Sequence, residues 1–311
     1  MVGFLKAAAD PLRLRILRLL RQDAMGVSEL CEVLAVRQPA LSHHLKILSA
    51  AGLLRSERDG NHIFYRRGDA EADASCNDLQ RAILDSADSL ELDGGASLRL
   101  QQLQLSREQN SRDFFRQNVH SFREQQDLIA APSRYADAIE TVIDGLDAQQ
   151  RELALELGPG EGWLLPVLGR RYETVHAFDN AENMLRAARE TVAATDLTNV
   201  HFHLGDSADA QRAGLEANLV VLNMVLHHTP DPARTLGESA ACLASQGVLL
   251  VTELCAHTQA WARENCGDLW LGFAPEQLGD WANRAGLAER GSSYLGQRNG
   301  FTLQVRLFQR T

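Results

Sequence analysis

Leu153-Ala154-Leu155-Glu156-Leu157-Gly158-Pro159-Gly160-Glu161-Gly162 decides how the second half of this 311-residue chain is read. The apolar run at its start reads as a buried strand, so the glycines fall where a strand turns into a helix. A glycine there permits unusual backbone angles and lets a ligand lie against the main chain. Two acidic landmarks follow at matching intervals. Val175-His176-Ala177-Phe178-Asp179 reads as a second strand ending in a carboxylate, and His201-Phe202-His203-Leu204-Gly205-Asp206-Ser207 as a third. A carboxylate at the second tip is placed to accept both hydroxyls of a ribose. One at the third can meet an adenine amino group. Together they point to an adenosine-containing ligand.

The glycine spacing narrows the choice. A dinucleotide fingerprint is G-x-G-x-x-G, whereas this chain has G-x-G-x-G, with Gly162 one residue early. The set Glu156, Gly158, Gly160, Gly162, Asp179 and Asp206 resembles the class I S-adenosylmethionine-dependent methyltransferases. The pattern continues through Asn218 to His228 as a fourth strand and its lip, and Gly247 to Glu253 as a fifth strand. Phe301 to Leu307 then reads as the antiparallel strand that closes the sheet. The resemblance implies a C-terminal α/β, Rossmann-like sheet and S-adenosylmethionine or S-adenosylhomocysteine as cofactor. Carried onto this chain, the cofactor residues are Glu156, Gly158, Gly160, Gly162, Asp179, Asn180, Met184, Asp206, Ser207 and Asn223. It does not specify a methyl acceptor.

The other end reads differently. Asp10-Pro11 is a helix start, with Asp as cap and Pro at the first helical position, and Leu12, Ile16, Leu19 and Leu20 recur at helical spacing. A second helix is expected over Ser28 to Leu34. A third opens at Gln38-Pro39, with Leu41, Leu45 and Leu48 on one face and Gln38, Ser42, His43 and Lys46 near the other. Two partly alternating runs, Leu53 to Arg58 and His62 to Arg67, flank Asp59-Gly60-Asn61, a strong hairpin signal. Three helices and a hairpin are the order of a winged helix-turn-helix. Ala9 to Leu17, Gln38 to Leu48 and Ala51 to Leu54 closely resemble the ArsR family of bacterial winged-helix repressors, over roughly the first 90 residues. The resemblance implies a third helix in the major groove of double-stranded operator DNA. By position, Gln38, Ser42, His43 and Lys46 would read DNA, and Arg58 and His62 on the wing would meet phosphate or the minor groove.

Charge divides the same way. Residues 1–67 carry 11 Lys/Arg against 6 Asp/Glu, so the −10 of the whole chain leaves −15 for residues 68–311. A basic head on an acidic body is expected when only one end meets phosphates, and such a body is a poor methylator of nucleic acid. Lys6 and Arg13 interrupt the N-terminus before any long apolar run, so neither a signal peptide nor a membrane span is expected. Five cysteines without a repeating pattern suit a reducing cytoplasm. Metal-sensing ArsR relatives carry a Cys-x-Cys pair after Glu-Leu. Here Glu29-Leu30-Cys31-Glu32-Val33 replaces one thiol with Val33, so no metal site is expected and Cys31 reads as a small apolar residue.

The expected division is a winged-helix and dimerisation domain over 1–92, a linker and helical segment covering the cofactor cleft over 93–150, and a methyltransferase-like domain over 151–311. Leu79, Ile83, Ala87 and Leu90 trace an apolar stripe expected to pair with a second subunit as a homodimer. Asp93-Gly94-Gly95-Ala96-Ser97 is the linker candidate. In the segment that follows, Phe114, Phe115 and Phe122 either line the cleft or dock the linker on the sheet.

For methyl transfer, the protein aligns the acceptor and, for a poor nucleophile, removes its proton. Candidate bases are His227, His228, Glu253 and His257, although His227-His228 also suits a capping or cleft-lining pair. Trp270 and Phe273 either wall an acceptor pocket or pack the core. Two readings stay open: a repressor whose methyltransferase-like domain senses S-adenosylmethionine or S-adenosylhomocysteine, or a working small-molecule methyltransferase. The missing acceptor motif favours the sensor.

Overall fold

A computed structural model describes residues 2–21, 25–59, 62–68, 74–147, 150–259 and 261–310, with backbone alone at some positions within them, among them 110–125. The chain divides into two compact units, Met1–Arg107 and Glu108–Thr311.

The first unit begins with α1 (Val2–Ala8) and α2 (Pro11–Leu19). Asp10 caps α2 as its chemistry demands, its carboxylate accepting from the Arg13 amide at 3.0 Å. A two-residue strand, β1 (Met25–Gly26), leads into α3 (Val27–Leu34), where Glu29 returns to accept from the Gly26 amide at 2.8 Å. Then come α4 (Gln38–Ala50) and the hairpin β2 (Leu54–Asp59) and β3 (His62–Arg67), followed by α5 (Ala74–Asp88). The sheet order is β1-β3-β2, all antiparallel. Neither α1 nor β1 is signalled by the sequence pattern, both being too short to show a period.

Leu41, Leu45 and Leu48 of α4 are fully buried with Ile16, Leu17 and Leu30. The α5 stripe departs from expectation. Ile83 and Ala87 are buried in this same core and Leu79 packs against it, so the stripe covers α2 of its own chain. Its period showed that it is covered, not by what. The linker expectation is also corrected, because Asp93 caps α6 (Gly94–Ala130), its carboxylate accepting from the Ala96 amide at 2.8 Å.

In the second unit α7 (Ala136–Asp144) precedes a mixed sheet. Its elements are β4 (Leu153–Leu157), α8 (Leu165–Gly169), β5 (Thr174–Asp179), α9 (Glu182–Ala193), β6 (Val200–Leu204), α10 (Ser207–Arg212) and β7 (Ala217–Asn223). They continue with α11 (Pro232–Ala241), β8 (Leu243–Leu254), α12 (Trp261–Cys266), α13 (Pro275–Arg284), β9 (Leu287–Gly296) and β10 (Thr302–Arg310). The strand order is β6-β5-β4-β7-β8-β10-β9. The first five strands in that order run parallel, and β10 runs antiparallel between β8 and β9. β10 therefore does not end the sheet: β9 does. Because β9 is an exposed edge, its sequence Leu-Ala-Glu-Arg-Gly-Ser-Ser-Tyr needs no apolar alternation, which hides it from sequence reading. The order reverses at β4, between β5 and β7, and the carboxyl ends of these strands form the crevice where ligands of such sheets bind.

Candidate functional site

The crevice encloses a cavity of about 250 Å³. Its floor is the turn after β4. Gly158 has φ +69°, and a Cβ there would stand 2.5 Å from Val225 Cγ2. Gly162 has φ +77°, and a Cβ there would meet Ala188 at 2.9 Å. Both the left-handed backbone and the close approach exclude a side chain. At Gly160 nothing lies within 4 Å of such a Cβ, leaving its main chain open.

Asp179 ends β5 with its carboxylate fixed by two amides, Ala181 at 2.9 Å and Gly160 at 3.3 Å. Burial pushes its pKa up to about 6 despite those two donors. Glu156, on β4 beside it, is 1% exposed. Burial, reinforced by the charge of Asp179, raises it to about 8, so at neutral pH Glu156 holds its proton while Asp179 is ionised. Its Oε2 is buried without a hydrogen-bond partner among the described residues, as is Oδ1 of Asn223 at the end of β7. Next to Asn223, Met224 adopts φ +56° while 4% exposed, a conformation of order 1–3 kcal/mol above the usual for a non-glycine.

Of the ten expected cofactor residues, Gly158, Gly160, Asp179, Asn180, Met184, Asp206, Ser207 and Asn223 line the cavity. Glu156 and Gly162 stand behind it. Asp206 has a second task, since its Oδ1 caps α10 by accepting from the Ala208 and Asp209 amides at 3.0 and 3.1 Å. Ser207 donates to Glu238 Oε2 at 2.6 Å, and Arg234 holds the other oxygen of Glu238 at 2.7 Å. Residues without a motif also take part. Tyr135 is buried, its ring edge-on to Trp163 at 5.7 Å, and burial raises its pKa well above the ordinary value. Gln126, Asp127 and Pro132, from the end of α6 and the turn after it, border the same cavity. Tyr135 had only a helical approach to the glycine turn as its signal. The side chains of Phe114, Phe115 and Phe122 lie outside the described residues.

Among the four candidate bases, only His228 lines the cavity. His227 is 2% exposed and Glu253 fully buried; they pair at 2.6 Å through His227 Nδ1. Burial alone would lower the His227 pKa, but the charges of Glu253 and Asp268 outweigh it and raise it to about 9. His228 is pushed well below its ordinary value, by burial and by the charge of His227. His257 lies apart from the cavity, its ring edge-on to Phe301 at 4.7 Å. Trp270 and Phe273 are both buried, and Phe273 packs on Trp281 at 5.3 Å, so this pair belongs to the core. Cys31 is half-buried against the first unit's core, and burial raises its pKa.

On α4, Gln38, Ser42, His43 and Lys46 are all exposed on the side opposite the buried leucines. Arg37, exposed just before the helix, adds a cation that the sequence reading passed over. His44, in contrast, turns inward to Asp10 at 3.6 Å. Arg58 pairs with Ile63 and His62 with Asp59 near the wing's turn, which makes Arg58 and His62 diagonal neighbours on the two strands. Their side chains lie outside the described residues.

Residues 122–302 match the family model of the methyltransferase domain, and residues 10–56 match that of bacterial regulatory proteins of the arsR family. The repressor SmtB of Mycobacterium tuberculosis is 46% identical over 65 residues, which are 21% of this chain and 48% of SmtB. The chain thus spans about half the length of that relative. The repressor SdpR of Bacillus subtilis is 38% identical over 60 residues, 19% of this chain and 67% of SdpR. Magnesium protoporphyrin IX methyltransferase from Synechocystis, solved with bound S-adenosylhomocysteine, superposes with a TM-score of 0.53 at 17% identity. That superposition covers 66% of this chain and all of the other, which shows a shared fold. With the glycine turn, the seven-stranded sheet and the helix-turn-helix in place, the chain belongs to the methyltransferase domain family and carries an ArsR-family helix-turn-helix domain at its N-terminus.

Proposed function

We propose that this protein is a cytoplasmic, homodimeric repressor that binds operator DNA and reads S-adenosylmethionine or S-adenosylhomocysteine as its signal. What supports the reading is a cleft whose lining suits an adenosyl ligand and which takes in one of the four candidate bases, His228. The open main chain at Gly160 and the orphaned buried oxygens of Glu156 and Asn223 fit such a ligand. Asp179 and Asn180 would hold its ribose, Asp206 and Ser207 its adenine end, and Gly158, Gly160 and Asn223 its amino-acid end. Of the candidate bases only His228 borders the cleft, while His227 and Glu253 neutralise each other in the interior. Gln38, Ser42, His43 and Lys46 would face the major groove, with Arg58 and His62 at the backbone.

For sensing, the ligand must bind the DNA-competent and incompetent forms with different affinity, typically by 5–150-fold. The test is a mobility shift on the gene's own upstream region with each ligand titrated separately. A shift that moves about tenfold with either ligand, without an acceptor present, supports a sensor. Indifference to both overturns it. The second reading is a small-molecule methyltransferase with the winged helix controlling its own operon. It is favoured by the cavity reaching beyond the cofactor residues to Gln126, Asp127 and Thr229. In that case the bound cofactor supplies an activated methyl group, while the chain positions the acceptor and His228 takes a proton.

A further inference from the structure

His227, His228, Asp268 and Glu253 come together from the turn after β7, the loop after α12 and the end of β8. His227 Nε2 lies 3.9 Å and His228 Nδ1 3.7 Å from Asp268 Oδ1. One donor atom from each of these three residues falls within 4.8 Å of the other two. Atoms bound tetrahedrally at about 2.0–2.2 Å to a single ion stand roughly 3.3–3.6 Å apart, so the donors would close by a few tenths of an ångström to about one ångström on taking up an ion. We propose that His227 Nε2, His228 Nδ1 and Asp268 Oδ1 form a binding site for one divalent transition-metal ion in the wall of the cleft, with Glu253 as the residue that orients His227.

Glu253 makes the arrangement more than a chance meeting of polar groups. It holds His227 Nδ1 at 2.6 Å and accepts from the His227 amide at 3.2 Å. That is the carboxylate–histidine–metal relay, which fixes the ring and leaves Nε2 to the ion. Two imidazoles and a carboxylate suit ions such as Zn²⁺, Co²⁺ or Fe²⁺ rather than Mg²⁺ or Ca²⁺. Three protein ligands leave at least one position for water or an oxygen of a cleft ligand. His228 is the member that borders the cleft and so gives the ion its way in. Binding exchanges the Nδ1–H tautomer of His228, which faces the Gly267 carbonyl at 3.4 Å, for the Nε2–H form. The sequence concealed this site because Asp268 follows His227 only after a strand, two helices and their loops.

The test is titration of the full chain with Co²⁺ alone, followed by its visible absorption, with Cys31→Ser as a background that removes one partly exposed thiol and with the absence of thiolate-to-Co²⁺ charge-transfer bands as the sign that the remaining cysteines do not bind it. The expected result is one ion per chain, displaced by Zn²⁺, absent in Asp268→Asn and about 10- to 100-fold weaker in Glu253→Gln. Near-UV circular dichroism verifies folding. Should Asp268→Asn fail to fold, His228→Ala at the cleft border removes a ligand in its place. No uptake by the Cys31→Ser chain at millimolar Co²⁺, or unaltered uptake after loss of a ligand, overturns the proposal.

Discussion

Replacing Asp179 with Asn separates what this carboxylate does to the fold from what it does for a ligand. Its pKa is raised from 3.8 to about 6 by burial, which makes its charge at neutral pH cost about 3 kcal/mol. Asn carries no charge, so that cost disappears. One amide oxygen can keep the 2.9 Å bond from Ala181, while the 3.3 Å bond from Gly160 is given up, at about 1 kcal/mol. The ligand-free variant should therefore be more stable by about 2 kcal/mol at pH 7.5. The sign with pH follows from the direction of the shift. Between 3.8 and about 6 the folded state binds more protons than the unfolded one, so wild-type stability falls across that window as pH rises. The advantage of the Asp179→Asn variant should therefore vanish as pH approaches 4. All four tryptophans, Trp163, Trp261, Trp270 and Trp281, lie in the second unit, so their fluorescence in urea follows that unit alone. Ligand binding should move the opposite way. Ribose hydroxyls donating to a charged acceptor contribute about 1.5–3 kcal/mol, so calorimetry should find S-adenosylhomocysteine roughly 10- to 100-fold weaker. A less stable variant refutes the burial argument. Undiminished affinity refutes the ribose assignment.

Three further outcomes are expected. Gly158→Ala forces a side chain into φ +69° and against Val225, costing about 2–4 kcal/mol in thermal or urea unfolding; adding Val225→Ala should restore only the steric part. A Gly158→Ala chain of wild-type stability would contradict this turn geometry. Lys46→Ala should weaken operator binding and reduce its log–log salt dependence by about one, and an unchanged slope would remove Lys46 from the phosphate contacts. The His227 pKa, raised from 6.5 to about 9 by Glu253 and Asp268 against burial, gives stability that is complete below pH 6.5 and lost as pH rises to about 9. The loss is about 3 kcal/mol, and Glu253→Gln should flatten this dependence.

Much of the cleft was legible because its chemistry is local. Gly158 and Gly162 announce positive φ by residue type, and Asp179 is one strand and one turn further along. The α4 face was legible for the same reason, since Leu41, Leu45 and Leu48 set a period that leaves Gln38, Ser42, His43 and Lys46 outside. Tyr135 and the Ser207–Glu238–Arg234 chain were not, because nothing near them in sequence says which distant groups they meet.

Read alone, the amino-acid order determined that this chain joins a winged helix to a methyltransferase sheet, and which glycine turn floors the crevice. Periodicity, capping and glycine turns act over a few residues, so they survive in one dimension. Tertiary structure decided what those patterns face. It assigned the Ile83–Ala87 stripe to its own core and placed β9 outside β10 at the sheet edge. It also withdrew Glu253 and His227 from the cleft into a buried ion pair with Asp268 alongside. Each of these depends on residues tens of positions apart meeting in a low-dielectric interior, where burial and charge are properties of the neighbourhood and not of the residue.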